Sequence, residues 1–295
     1  MKLSLKESNK SQRTIAKEIT FEGQSLFSST KISMQLLPAE VNTGIVFNVN
    51  GTKIPALSDY LNFTELHTTS LTKDDAEVLM VEHLLAAIWG MGIDNIEIKL
   101  DQKIIPAQDG SAEPFAQALK EAGITVQGAK RTVVEIHENL YFEQPEFEGR
   151  KATLSSNSNG LSIELTAPYP APINTYTVNY SENDDFEKKV SWARTFLRSP
   201  LDPTDLTKWN GIRSVYKALP EDPRQSPVIT FTESKFLTPL KAENEPAMHK
   251  MLDTIGDLAL VGYRINGHFK IDVPGHKFTH LIAKEIRSQL NGQEV

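Results

Sequence analysis

The chain has no cysteine. Disulfides and thiolate metal ligands are therefore excluded, and any resident metal must be held by His, Asp or Glu. Long apolar runs are missing too. No stretch approaches the ~20 residues of a membrane-crossing helix, so no integral membrane segment is expected. The opening Met1-Lys2-Leu3-Ser4-Leu5-Lys6-Glu7-Ser8 lacks the apolar core of a secretory leader. Positive charge is in deficit: 31 Lys and Arg against 38 Asp and Glu leave a formal net charge of −7. That argues against a nucleic-acid partner, while leaving room for a local basic pocket facing one anionic ligand. With no long polar linker in 295 residues, the chain has the length of one large domain or two ordinary ones. The expectation is a cytoplasmic, monomeric globular protein.

What is present falls into two halves. Residues 13–62 read mostly as strand: 31–36 alternate polar and apolar, and 44–49 end at the Asn50-Gly51 turn. Residues 76–89 are apolar nearly all round and read as a buried helix closed by Gly90 and Gly92. A strand at 96–100 precedes the Asp109-Gly110 turn, and Ser111 is placed to cap a helix running to Ala122. Residues 126–130 are the candidate boundary. Beyond it, strands are expected at 132–136, 152–155, 161–165, 175–180 and 228–231, with a polar, proline-bearing stretch at 201–227. A helix at 246–260, a strand pair centred on Asn266-Gly267 and a helix at 277–290 complete the pattern. Strands, helix, strand, helix in each half predicts an α+β fold of two similar domains, 1–127 and 128–295, without a residue-level repeat.

Two fragments carry chemistry: Val81-Glu82-His83-Leu84 and His249-Lys250-Met251-Leu252-Asp253. His249 and Asp253 are four apart, so on a helix they share a face. With His83 they offer two imidazoles and a carboxylate, a set suited to zinc with one open position, and Glu82 adds a second carboxylate. Either fragment alone is weak, since such pairs are commonly solvated surface groups. The apolar surroundings raise the value of both, because burying these groups without partners is costly and a shared cation would satisfy them. Asp257 lies one turn beyond Asp253, and Gly275-His276 follows a strand. A carboxylate-oriented imidazolium would make a general acid; spacing alone favours the plainer reading, Asp257 capping backbone and His276 starting a helix. Lys250 is either a surface lysine or a cation facing substrate phosphate, and spacing does not choose.

These residues then match a known pattern. Val81-Glu82-His83-Leu84-Leu85-Ala86-Ala87, Gly92-Ile93-Asp94-Asn95, Ile105-Pro106-Ala107-Gln108-Asp109-Gly110-Ser111-Ala112, Ala193-Arg194-Thr195-Phe196 and His249-Lys250-Met251-Leu252-Asp253-Thr254-Ile255-Gly256-Asp257-Leu258 occur in that order. Together they resemble the zinc-dependent UDP-3-O-acyl-N-acetylglucosamine deacetylases, which act at the committed step of lipid A biosynthesis. The resemblance runs from about residue 12 to 290. It implies two β/α sandwich domains with the site between their helices. It further implies one zinc per chain on His83, His249 and Asp253, with Glu82 as general base and Thr195 holding the oxyanion. His276 would be the general acid oriented by Asp257, Lys250 would lie near an acylated UDP-sugar, and Phe196 is placed to line an acyl passage.

The frame departs from the family at several points. The histidine of Gly-Leu-His-Ser-Gly is Phe27, the threonine before Val-Glu-His-Leu is Met80, and the arginine before His-Lys is Met248. Asp222-Pro223-Arg224-Gln225-Ser226-Pro227-Val228-Ile229 replaces a glycine-rich stretch. Lys277-Phe278-Thr279-His280 stands for Ala-Leu-Asn-Asn, and Pro168-Tyr169-Pro170 for an Asp/Asn-His-Pro element. Two other readings therefore stay open: a deacetylase for a different N-acetylated sugar nucleotide, and a non-catalytic paralogue acting as a binding protein. Retention of Glu82, Thr195, Asp257 and His276 together favours the enzyme, since binding alone requires neither base nor acid.

Overall fold

A computed structural model describes residues 2–25, 30–64, 68–198, 213 and 219–293. The fold is α+β. Antiparallel strands β1 (Leu3–Ile15) and β9 (Ile124–Ile136) form a long ribbon that joins the second of two five-stranded arrays in one seven-stranded sheet. The first array has the order β2-β3-β8-β4-β5, from β2 (Ile19–Gln24), β3 (Lys31–Pro38), β4 (Ile45–Val49), β5 (Thr52–Pro55) and β8 (Ile96–Leu100). Its central β8 is antiparallel to β3 and parallel to β4. The second comprises β10 (Leu140–Glu143), β11 (Lys151–Ser156), β12 (Ser162–Pro168), β13 (Thr175–Ser181) and, beyond the short parallel pair β14 (Phe196–Arg198) and β15 (Ile229–Phe231), β16 (Arg264–Asp272). Here β16 is central, antiparallel to β11 and parallel to β12, so the order is β10-β11-β16-β12-β13. The two arrays share one topology. Each central strand also sits between two helices in sequence: α1 (Glu82–Gly90) and α2 (Glu113–Ala122) around β8, α3 (Glu245–Leu258) and α4 (His276–Leu290) around β16.

The alternation in the sequence explains the sheets. Ile32, Met34 and Leu36 of β3 point inward, as do Ile163 and Leu165 of β12, and their intervening neighbours stay partly exposed. Helix α1 is buried on every side through Leu84, Leu85, Ala86, Ala87 and Ile88, and it packs against α3. One contiguous core joins both arrays and the helices.

The closest approach of α1 to α3 is set by one glycine. A Cβ on Gly256 would lie 2.1 Å from the Glu82 carbonyl oxygen. That neighbour is backbone and cannot rotate away, so Gly256→Ala must push the helices apart. Overpacking of this kind costs about 1–3 kcal/mol. Thermal denaturation of Gly256→Ala is expected to show a loss of at least that size, and an unchanged melting temperature would refute the close packing.

Two sequence expectations change. Residues 76–79 form strand β7 (Ala76–Leu79), paired with β6 (Ser70–Lys73), and the helix begins only at Glu82. Met80 adopts a left-handed backbone, φ 62°, which no helix interior allows. Residues 126–130, the candidate boundary, lie within β9. Asn266-Gly267 is not a turn: both residues pair with neighbours inside the single strand β16. The Ser111 hydroxyl does accept the Glu113 N–H at 3.1 Å, at the start of α2. Phe27 and most of 201–227 lie outside the described residues.

Candidate metal centre and active site

The site lies where the starts of α1 and α4 meet the middle of α3. Glu82 and His83 occupy the first turn of α1, His249 and Asp253 share one face of α3, and His276 opens α4. Asp253 Oδ1 is 3.3 Å from His249 Nε2 and 3.5 Å from His83 Nε2. It is buried, and among the described residues no hydrogen bond reaches it. The His249 Nδ1–H donates to the Ala193 carbonyl at 3.1 Å, which leaves the Nε2 lone pair facing Asp253. Burial pushes His249 down to about 3, reinforced by nearby His83 and Lys250 against the pull of Asp253, so the imidazole is neutral.

An orphaned carboxylate oxygen flanked by two imidazole nitrogens is a donor set for a divalent cation. A tetrahedral centre with bonds of about 2.0–2.1 Å separates its ligands by about 3.3–3.4 Å, close to the spacing seen here. The residues thus fit a metal.

The other Asp253 oxygen is engaged. Oδ2 accepts Lys250 Nζ at 2.6 Å and lies 3.5 Å from His276 Nε2. Burial alone would raise the Asp253 carboxyl, but His249, Lys250 and His276 hold it well below its usual range. For Lys250 burial works downward, and Asp253 and Tyr169 outweigh it, so the ammonium is held charged. Its Nζ also lies 5.3 Å above the Phe196 ring, which itself packs edge-on against His249.

A second polar cluster backs the first. Asp257 is fully buried, and its Oδ2 accepts His276 Nδ1 at 2.9 Å and the Thr279 hydroxyl. Thr69 Oγ1 donates to Asp257 Oδ1 at 2.5 Å and lies 2.8 Å from His280 Nε2. It is 3.2 Å from His276 Nδ1. Asp257, His276 and His280 have the composition of a metal site, but the Thr69 hydroxyl fills the point where they meet. Burial would lower His276, yet Asp257 and Asp253 raise it to about 9. Glu82 is held separately. The Thr68 hydroxyl reaches its two oxygens at 2.9 and 3.1 Å, and the Thr69 N–H donates to Oε2 at 3.0 Å.

Thr195 and His83 line one small pocket together with Met80, Ile105 and Pro106. The Thr195 N–H donates to the Gly110 carbonyl at 2.8 Å and its carbonyl accepts from Ile229 N–H at 2.8 Å. A larger cavity, about 470 Å³, lies at the far ends of α1 and α3 beside Trp89, Arg131 and Arg264. The Arg264 guanidinium there is bound to the Trp89 and Ile93 carbonyls at 2.7 and 3.0 Å, capping the end of α1. The chemistry-bearing cluster lies elsewhere.

The sequence profile of the UDP-3-O-acyl N-acetylglycosamine deacetylase family matches residues 12–288. The chain is 31% identical over 304 residues to the UDP-3-O-acyl-N-acetylglucosamine deacetylase of Myxococcus xanthus (strain DK1622), covering 99% of this chain and 91% of that protein. It is 32% identical over 292 residues to the protein of that name from Actinobacillus pleuropneumoniae serotype 3 (strain JL03), covering 96% and 92%. The chain belongs to this deacetylase family.

Several departures from the family pattern fall around the site. Thr279 and His280 both attend Asp257. Tyr169 packs edge-on against Phe196 at 5.6 Å, and burial raises its hydroxyl pKa. Met248 is buried on α3 beside His249. Sequence reasoning missed Thr68 and Thr69, and named Tyr169 and His280 only as departures from the family pattern. Of these only His280 carried a signal, its i,i+4 spacing from His276 on one helix face.

Proposed function

We propose that the chain is a zinc-dependent N-deacetylase that hydrolyses the acetamide of a UDP-linked 3-O-acyl-N-acetylglucosamine, the committed step of lipid A biosynthesis. The observation that carries this reading is the unpartnered Asp253 Oδ1 between His83 and His249, in a chain of this family. These three residues would hold one zinc per chain. When bound, the metal supplies Lewis acidity to the acetyl carbonyl and to the attacking water. Glu82, steadied by Thr68 and Thr69, takes the proton from that water. The Thr195 hydroxyl donates to the oxyanion that develops on the acetyl oxygen. His276, kept protonated and oriented by Asp257, gives its proton to the departing amine, so water and amide become acetate and amine. Lys250 neutralises charge at the edge of the site, and Phe196 lines the passage for the acyl chain.

In the same reading the protein acts as a cytoplasmic monomer with no nucleic-acid partner. Its net charge of −7 supports the exclusion of nucleic acid, and among the described residues no helix is long and apolar enough to cross a membrane. The domain division is placed at 127/128. Glu82 and His83 lie on the first side, and Thr195, His249, Asp253 and His276 on the second; the repeated sheet topology supports this.

The test is acetate release from acylated and unacylated UDP-N-acetylglucosamine, with and without a chelator. Turnover is expected to require metal. Loss of the acyl chain should lower kcat/KM well beyond the roughly fourfold worth of a single buried methylene, about 0.8 kcal/mol. Equal efficiency on both substrates would sink the acyl passage. No turnover of either, with zinc bound, would favour a binding protein instead.

A further inference from the structure

One ion pair outside these groups, its carboxylate wholly buried and its guanidinium partly so, ties the oxyanion segment to the ligand helix. Arg194 sits between Ala193, whose carbonyl takes the His249 Nδ1 hydrogen, and Thr195. Its Nε donates to Glu245 Oε1 at 2.8 Å and its Nη2 to Glu245 Oε2 at 3.1 Å, with Nη2 also reaching the Pro239 carbonyl at 2.8 Å. Glu245 is wholly buried in the first turn of α3, one helical turn before His249. It also accepts the backbone N–H of Arg194 at 3.3 Å and of Lys241 at 2.6 Å. The segment is held on its far side as well, by Thr195 N–H on the Gly110 carbonyl. Gly110 has φ +80°, and a Cβ there would lie 2.7 Å from the Pro227 carbonyl oxygen. Residues 193–195 are therefore fixed at the Ala193 carbonyl, the Arg194 side chain and the Thr195 amide.

We propose that Arg194 is a positioning residue: through Glu245 it locks residues 193–195 to α3, so that the Thr195 hydroxyl and the His249 ring are aimed at one point. The planar guanidinium matters because it meets both carboxylate oxygens at once; a lysine ammonium keeps the charge and loses the fork. The inference rests on the roles given above to Thr195 and His249.

Arg194→Lys, Arg194→Ala and the uncharged pair Arg194→Met with Glu245→Gln test it, the last removing the buried charge that Arg194→Ala leaves unpaired. Zinc affinity by chelator competition, thermal melting, kcat and KM are measured for each. Partners that orient a metal-bound histidine are typically worth about 10- to 100-fold in metal affinity or activity. Arg194→Lys is expected to melt near the parent temperature, to lose kcat by about that factor with KM changed less than about threefold, and to release zinc more readily. Millimolar guanidinium should restore part of the Arg194→Ala rate and leave the parent unaffected. Parent-like kcat and zinc affinity in Arg194→Lys would overturn the proposal. So would losses that track melting temperature in every variant with no guanidinium rescue. A parent protein that releases no acetate would instead fault the functional reading, and the zinc affinities would still decide the role of Arg194.

Discussion

Asp253→Ala is expected to remove zinc and turnover together, as is His83→Ala. Asp253 supplies the one buried oxygen that no hydrogen bond satisfies, flanked by the two Nε2 atoms. Without it two imidazoles remain, fewer than the three protein ligands usual for a catalytic zinc. Alanine at 253 also takes the partner from Lys250 Nζ, now 2.6 Å away, and from the charged His276 ring at 3.5 Å. Lys250 and His276 would then crowd the same space with like charge, which opposes a cation further. His83→Ala is the cleaner control, since it removes a ligand and leaves Asp253 paired to Lys250. Metal analysis of the purified variants, with acetate release on the same preparations, checks both. Full zinc content and normal turnover in either variant would mean that the ligand assignment is wrong.

Much of the site could be read from helical spacing, because its polar groups interrupt strongly apolar helices. His249 and Asp253 share a face of α3, and both are buried as their apolar neighbours demand. Asp257 and His276 are different: nothing in their separation of 19 residues implies contact, yet they meet at 2.9 Å. Only the resemblance to the deacetylases pointed to that pair. Arg194 and Glu245 are 51 residues apart, and Thr69 and Asp257 are 188 apart. Such contacts come from topology, and no local periodicity marks them. The fold errors have a local cause. Val78, Leu79 and Val81 in a short apolar run fit strand and helix alike, and the left-handed Met80 that separates the two elements leaves no mark a methionine would normally show. Asn266-Gly267 carries a strong turn signal, which pairing on both edges of β16 overrides.

Glu82→Ala should separate holding the metal from using it. Glu82 is next to His83 in sequence, but its carboxylate is turned to Thr68 and Thr69, with three hydrogen bonds of 2.9–3.1 Å. It is not among the atoms that cluster as metal ligands, which belong to His83, His249 and Asp253. A carboxylate buried to 4% exposure and held by two donors, the Thr68 hydroxyl and the Thr69 N–H, is kept in one place, which is what proton abstraction from a positioned water requires. Removing it takes away the base and leaves the three ligands. Zinc content should therefore stay at the parent value while kcat falls by roughly two to four orders of magnitude, the usual worth of general acid–base catalysis. Glu82→Gln sharpens the comparison, because the amide preserves the size of the group and can still accept from Thr69 N–H, yet takes up no proton. Both variants should show the same deep loss with KM little changed. Loss of zinc from Glu82→Ala would make Glu82 a ligand, and near-parent turnover in Glu82→Gln would move the base to another residue.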